Sequence, residues 1–124
     1  MPDYKITNHA EIRMSQRAVR DEDAVEVLTC GTQIGPVEWF MRDSDADREI
    51  DDLKDKIKWI DRMRKLKVMN GADANREISA LKHEVRRFER LRGLKVVMEG
   101  GEIITCYWPS VAYQKRARRR GRAA

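Results

Sequence analysis

The chain is poor in cysteine and histidine, and it has no long run of apolar residues. It contains 124 residues, with two cysteines and two histidines. Cys30 and Cys106 lack the short spacing of a zinc or redox motif, so in a reducing compartment we expect two buried thiols. No apolar run approaches the roughly 18 residues of a membrane span, and the first residues form no apolar signal segment. These absences predict a soluble, cytoplasmic protein without a metal, a cofactor or a membrane partner.

Charge is abundant instead, and it is unevenly placed. Charged residues make up 38% of the chain, and the net charge is +5. Residues 114–124 contain six basic residues and no acid, so the rest of the chain holds 20 basic and 21 acidic residues. Such a segment is expected to be disordered and to bind a polyanion such as RNA, with a solubilising tail as the alternative. Its basic residues are Lys115, Arg116, Arg118, Arg119, Arg120 and Arg122.

The sequence near the N-terminus predicts a helix with a cationic face. His9, Arg13 and Arg17 are spaced by four residues, so they lie on nearly the same side of a helix. Like charges at this spacing repel one another unless an anion such as a phosphodiester binds beside them. Capping or solvation would explain each residue alone. Their combination therefore predicts a phosphate-binding site.

The ends of the chain predict a small body of helices and strands. Asn8 is expected to cap the first helix, with Glu11 completing a capping box. A second helix is expected to begin with the acids at 21–23 and to end before Gly31, as a left-handed glycine cap requires. Three strands are predicted, over residues 34–41, 94–98 and 103–108.

Residues 43–91 predict two further helices, dense in charge and separated by a turn at residues 70–71. Asp73 is expected to cap the second of them. The acidic start of the first helix would lie beside the basic end of the second, so the two are predicted to form an antiparallel, coiled-coil-like hairpin. The apolar positions at helical spacing are Ile50, Leu53, Ile57 and Ile60, then Ile78, Leu81, Val85 and Phe88.

Another apolar stripe lies on the first helix of this predicted hairpin. Trp59, Met63 and Leu66 fall roughly opposite the stripe that would face the second helix. One partner helix cannot cover both stripes, and an exposed patch of this kind usually marks a protein contact. We expect a homodimer, or a dedicated partner such as an inhibitor. The alternative is that this stripe packs on the rest of the same chain.

These elements predict an α+β fold. Two N-terminal helices would pack on a small antiparallel sheet, and the long helical hairpin would be inserted between the first and second strands. The expected domains are residues 1–42 with 92–113 for the α+β domain, residues 43–91 for the hairpin, and residues 114–124 for the basic tail.

The two ends of the chain also resemble a known family. The segments ITNHAEIRMSQRAVRDEDAVEVLTCG and LKVVMEGGEIITCYWP resemble small bacterial domains with an HAxxRxxxR helix and a closing strand similar to viTvY. Those domains are similar to the barnase–EndoU–colicin–RelE superfamily of metal-independent ribonucleases, many of them toxins. The resemblance covers about half of the chain, and it departs from the family at Ala18, where Gly is usual, at Arg20, and in the added hairpin. It implicates as catalytic residues His9, Arg13, Arg17, Thr105 and Tyr107.

RNA cleavage through the 2′-hydroxyl needs a base, an acid and cations for the charge that develops at phosphorus. His9 is the expected base, and the two arginines are the expected phosphate ligands. Thr105 and Tyr107 are two residues apart, so both lie on the same side of a strand, where they would orient the phosphate. The acid is left open, with Tyr107 as one candidate. The alternative function is a non-catalytic module that binds RNA or protein through the hairpin; a purely structural adaptor would leave the cationic face unexplained.

Overall fold

The computed structural model describes residues 5–109, which form an α+β fold with four helices and a five-stranded mixed sheet. Backbone contacts divide the chain into two units. One contains the described residues up to Asp45 and from Leu91 onward, and the other is Ala46–Arg90. The elements are β1 (Lys5–Ile6), α1 (Asn8–Gln16), α2 (Asp21–Cys30), β2 (Thr32–Gly35), β3 (Glu38–Phe40), α3 (Asp43–Lys65), α4 (Gly71–Leu91), β4 (Lys95–Glu99) and β5 (Glu102–Tyr107).

The sheet differs from the predicted one in two ways. Its strand order is β1-β5-β4-β3-β2, and β1 pairs parallel with β5, so the sheet is mixed rather than antiparallel. The single strand predicted over residues 34–41 is wrong, because β2 and β3 are two strands that pair antiparallel around a turn after Gly35. Pro36 fixes φ at a value that suits the first corner of a turn. As a result, α3 and α4 follow the third strand of the chain and not the first.

Two of the predicted helix caps are also wrong. Thr7, not Asn8, caps α1, and its Oγ1 accepts a hydrogen bond from the Ala10 amide at 3.1 Å. Asn70, not Asp73, precedes α4, and its Oδ1 accepts from the Ala72 amide at 2.8 Å. Both helices therefore begin earlier than predicted, where an oxygen-bearing side chain reaches the first free amides.

Gly31 ends α2 for a reason other than the predicted one. Its φ is −79°, so it does not use the left-handed conformation. A Cβ at this position would lie 2.5 Å from the Val27 carbonyl oxygen and 2.9 Å from the Phe40 carbonyl oxygen. The glycine is required because the end of α2 and the end of β3 approach each other closely.

The core of the sheet-containing unit joins elements from the first and the last part of the described residues. Helix α1 packs on β5, and α2 packs on β2, β3 and β4. Most of the buried side chains are aliphatic, and their contacts are expected to supply most of the stability of this unit. They include Ala10, Met14, Ala24, Val27, Phe40, Leu94, Val96, Ile103 and Cys106.

The unit Ala46–Arg90 buries fewer apolar side chains than the sheet-containing unit, namely Ala46, Ile50, Ile60, Ala74 and Phe88. Near the end of α3 and the start of α4, Arg64 donates a hydrogen bond to Asn75 at 2.7 Å. Just after α3, Lys67 lies in the left-handed region, with φ 58°, and the Val68 amide donates to the Met63 carbonyl at 3.0 Å. This is the Schellman pattern of a helix end. None of the helices within residues 5–109 is long and apolar enough to cross a membrane.

Candidate functional site

The cationic face of α1 is positioned by the residues on its opposite flank. Ala10 and Met14 are buried in the core, with exposed fractions of 0% and 1%. His9 and Arg13 each directly precede one of these two residues, so they are turned about 100° from the buried side. Both side chains are exposed, whereas Arg17, just after the last turn, is half-buried. The predicted face of α1 is therefore open at its start and covered at its end.

Arg17 joins α1 to the last strand. Its Nη1 donates a hydrogen bond to the Cys106 carbonyl oxygen at 3.3 Å. Its guanidinium carbon lies 5.6 Å from the centre of the Tyr107 ring, within the range of a cation–π contact. Strand β1 pairs with β5 only at Glu102 and Ile103. The Cys106 carbonyl lies outside that pairing and accepts its hydrogen bond from Arg17 instead. This arginine therefore has a structural role in addition to the role predicted for it.

A second cation, which the sequence did not single out, lies at the same tyrosine. Lys95 pairs with Tyr107 across β4 and β5, and its Nζ lies 5.7 Å from the ring centre. The same Nζ lies 2.8 Å from an Oε1 of Glu38 on β3, and the Lys95 side chain is only 6% exposed. We call this group of neighbouring side chains the tyrosine cluster. Its members are Arg17, Tyr107, Lys95 and Glu38. A lysine inside the apolar stretch Leu94–Met98 was the signal that could have found it.

Thr105 lies near this cluster on the same strand. It pairs with Val97, two residues from the Lys95–Tyr107 pair, so Thr105 and Tyr107 occupy the same face of β5. The register shifts between Val97 and Met98, which leaves Ile104 as an extra residue in β5. Such a bulge increases the local twist of a strand and redirects its side chains. Thr105 itself is half-buried.

The structure thus brings two of the five predicted catalytic residues into contact. Arg17 and Tyr107 meet directly. Among the hydrogen bonds, ion pairs and ring contacts of residues 5–109, none joins His9, Arg13 or Thr105 to the tyrosine cluster. All five residues nevertheless lie on, or directly after, two elements that pack together, α1 and β5.

Cys106 lies beside this cluster, and its thiol is held in the neutral form. Burial, together with the carboxylate of Asp23, raises the pKa of that thiol to about 12, although Arg17 opposes the change. A raised folded-state pKa means that the neutral thiol is favoured, so its stabilising contribution is complete below about pH 9 and is lost as the pH rises towards 12. Cys106 is fully buried and Cys30 is half-buried, and the two do not form a disulfide.

The apolar stripe predicted as a partner interface is exposed in part. Trp59 and Leu66 have exposed fractions of 58% and 62%, and Met63 is half-buried. Val68, just after α3, is 72% exposed and was not predicted as part of this surface. Large exposed apolar side chains grouped at one end of a helix are typical of contact surfaces.

Several predictions concern residues or ligands outside these contacts. The basic residues from Lys115 to Arg122 lie outside the described residues. Within residues 5–109, no group of three or more histidine, cysteine or acidic side chains is arranged to hold a metal ion. Asp45, one of the acids at the start of α3, is buried and accepts hydrogen bonds from Thr32 at 2.8 Å and from the Arg42 amide at 3.1 Å. It stabilises the start of the helix.

Comparison with known proteins adds no family assignment. The chain matches no protein-family model, no curated protein and no solved structure.

Proposed function

We propose that this protein is a cytoplasmic, metal-independent ribonuclease that binds RNA phosphate on the surface shared by α1 and β5. The observation that carries the proposal is the contact of Arg17 with Tyr107 and with the Cys106 carbonyl. This contact joins α1, which carries His9 and Arg13, to β5, which carries the hydroxyl groups of Thr105 and Tyr107. The resemblance to the barnase–EndoU–colicin–RelE superfamily supports the same reaction.

The proposed reaction uses groups of the chain and of the RNA, with water as the alternative proton donor. Neutral His9 accepts the proton of a 2′-hydroxyl, and the resulting oxygen attacks the adjacent phosphorus. Arg13 and Arg17 stabilise the negative charge of the phosphorane. The bond from phosphorus to the 5′-oxygen breaks, and that oxygen takes a proton from Tyr107 or from water. The products are a 2′,3′-cyclic phosphate and a free 5′-hydroxyl.

In this proposal the two units have different tasks. Helices α1 and α2 with the sheet form the RNA-binding domain, and α3 and α4 form an antiparallel hairpin inserted into it. The basic residues after Gln114 add affinity for the RNA backbone through release of counterions.

The two histidines of the chain provide a matched pair of variants for testing cleavage. Labelled RNA is incubated with the full chain in EDTA, and the ends of the products are identified. We expect His9→Ala to lower the cleavage rate by about 100-fold or more, the range of general base catalysis. His83→Ala should cleave normally, because His83 is exposed on α4. Cleavage that persists in the His9→Ala protein would remove this residue from the mechanism.

A second candidate function is RNA or protein binding without cleavage. The observation that favours it is that Arg17 already donates to Cys106, and that Lys95 already pairs with Glu38. Cations engaged within the fold are less available for a reacting phosphate. This function predicts salt-sensitive RNA binding with no cleavage products and a large loss of affinity when the residues after Gln114 are deleted. Binding that is unchanged by the deletion would exclude the tail from the interface.

The exposed stripe on α3 supports a protein contact in either case. We propose that Trp59, Met63 and Leu66 mediate a homodimer or contact an inhibitor. If the contact is a homodimer, Trp59→Glu should halve the mass measured by light scattering after size exclusion, because a buried charge opposes association. Ile12→Glu is the control, since Ile12 is equally exposed, at 60%, but lies on α1. A monomeric mass for the unchanged protein would exclude the homodimer.

A further inference from the structure

A groove runs along one side of the contact between α3 and α4. Its floor is aliphatic and consists of Ile57 from α3 with Ile78 and Val85 from α4. All three side chains are half-buried, so part of each apolar surface faces outward. Two helices alone leave such a groove on each side of their contact, and a third helix placed in it would complete a bundle.

The rim of this groove is basic. Lys54, Lys58, Lys82 and Arg86 line it and are exposed. Within the described part of the chain, these four cations make no ion pair, whereas other charged residues of the same helices do. Asp61, at the far end of the groove, is already paired with Arg64 and Lys65. The groove therefore presents uncompensated positive charge on both sides of an apolar floor.

The groove on the other side of the contact has a different character. Its apolar lining residues are Trp59, Ile60 and Leu81, and its charged lining residues are Lys56 and Glu77. One cation and one acid balance each other there, so a symmetric contact between two copies brings no net repulsion. In the basic groove, a two-fold axis would place the four cations of one copy against the same four of the other. This charge argues against a second copy as the occupant of the basic groove.

RNA also fits this groove poorly. Single-stranded nucleic acids bind to surfaces that combine cations with aromatic side chains on which bases stack. The lining here has aliphatic residues in that place. A strip of partly exposed isoleucine and valine is instead the surface that an amphipathic helix covers with its apolar face.

We propose that the groove of Ile57, Ile78 and Val85 binds an acidic amphipathic helix of a partner protein. From Lys54 to Arg64 the groove follows ten residues of α3, which corresponds to about 15 Å. That length accommodates about three turns, with apolar side chains at positions i, i+3, i+4 and i+7 on the floor. Acidic side chains on both flanks of the partner helix pair with the basic rim.

The test uses a synthetic peptide and the full chain. The peptide is a helix of about four turns with leucine at the four apolar positions and glutamate on both flanks. Its binding is followed by fluorescence anisotropy. The rim variant combines Lys58→Glu with Lys82→Glu and reverses two charges of the groove. The control variant combines Lys56→Glu with Arg62→Glu, which makes the same change of charge at exposed positions outside the groove.

We expect the unchanged protein to bind the peptide and the rim variant to bind it about tenfold more weakly or less. The control variant should change the affinity by no more than about twofold. A peptide with lysine in place of glutamate should not bind. The proposal is overturned if the acidic peptide does not bind, or if both variants lose the same affinity. It is also overturned if the rim variant loses RNA binding instead.

This inference is independent of the proposed cleavage. The variants that test it lie on α3 and α4, whereas the cleavage test rests on His9 of α1. Loss of peptide binding with normal RNA cleavage, or the reverse, would show which of the two proposals fails.

Discussion

The two units of the chain use their apolar residues in different ways. In the sheet-containing unit, Phe40, Leu94 and Val96 have no exposed surface. In Ala46–Arg90, Ile57 and Ile78 have the expected helical spacing but remain half-buried. A sheet with helices on it encloses a side chain from several directions, whereas a pair of helices encloses only the side chains on their shared line. The same apolar residue therefore contributes less stability, and more binding surface, in the second unit.

Charged residues follow the same division. Lys95 lies in the interior with Glu38, and Arg17 contacts Tyr107 and a strand carbonyl, so both cations support the fold. Lys58 and Lys82 are exposed cations beside an open groove. Other charged residues of the first unit, His9 and Arg13 among them, are exposed in the same way. These exposed groups, more than the buried ones, are where binding to another molecule is expected.

The largest effect should come from truncation of the sheet core. Phe40→Ala should lower the free energy of unfolding by about 3–5 kcal/mol, because it removes a fully buried ring and leaves a cavity. Ile57→Ala should cost only about 1 kcal/mol, since that side chain is not fully buried in the folded protein. Urea denaturation of both variants measures the two values. Equal losses would contradict the difference between the two units.

A smaller effect should follow from breaking an ion pair. Glu38→Ala removes the carboxylate 2.8 Å from the buried Lys95 ammonium and should cost about 2 kcal/mol, less than a fully buried pair because Glu38 is partly exposed. Asp61→Ala removes the partner of Arg64 and Lys65 on α3 and should leave the urea midpoint unchanged within error, because exposed pairs contribute little.

Rescue separates a charge effect at Glu38 from a packing effect. Lys95→Met keeps a long side chain between the strands and removes the charge. Added to Glu38→Ala, it should restore part of the lost stability. A double variant that is less stable than Glu38→Ala would show that Lys95 acts through contacts other than this ion pair.

The sequence predicted the parts of the fold that depend on local spacing. The periodic apolar residues of α3 and α4 correspond to observed helices. Between the predicted strands 94–98 and 103–108 the chain turns at Gly100 and Gly101, which both have positive φ. The two-residue strand β1 could not be predicted, because it exists only through its pairing with β5. The split between β2 and β3 falls at Pro36 and Val37, inside the single strand predicted over residues 34–41.

The candidate site was predicted less completely than the fold. The helical spacing of His9, Arg13 and Arg17 was sufficient to predict a shared face, and the alternation of Thr105 and Tyr107 was sufficient for a shared side of a strand. The position of Lys95 at Tyr107 depends on the register between β4 and β5, which the sequence does not specify. The bonding of Arg17 to Cys106 depends on the length of β1, which ends before that carbonyl.

The smallest effect is expected at Ala18, which follows α1. It stands where the family that the sequence resembles usually has glycine. Ala18 has a φ of 56°, and the Val19 amide donates to the Met14 carbonyl at 2.9 Å, which is the hydrogen bond of a Schellman helix end. An alanine in the left-handed region is strained by its Cβ, and glycine is not. Ala18→Gly should therefore raise the free energy of unfolding by about 0.5–1 kcal/mol. Ala80→Gly, on an exposed position of α4, should lower it by about 1 kcal/mol. Since both variants make the same chemical change, opposite signs in parallel denaturation curves would reflect the backbone alone, and a loss in both would contradict the left-handed turn at Ala18.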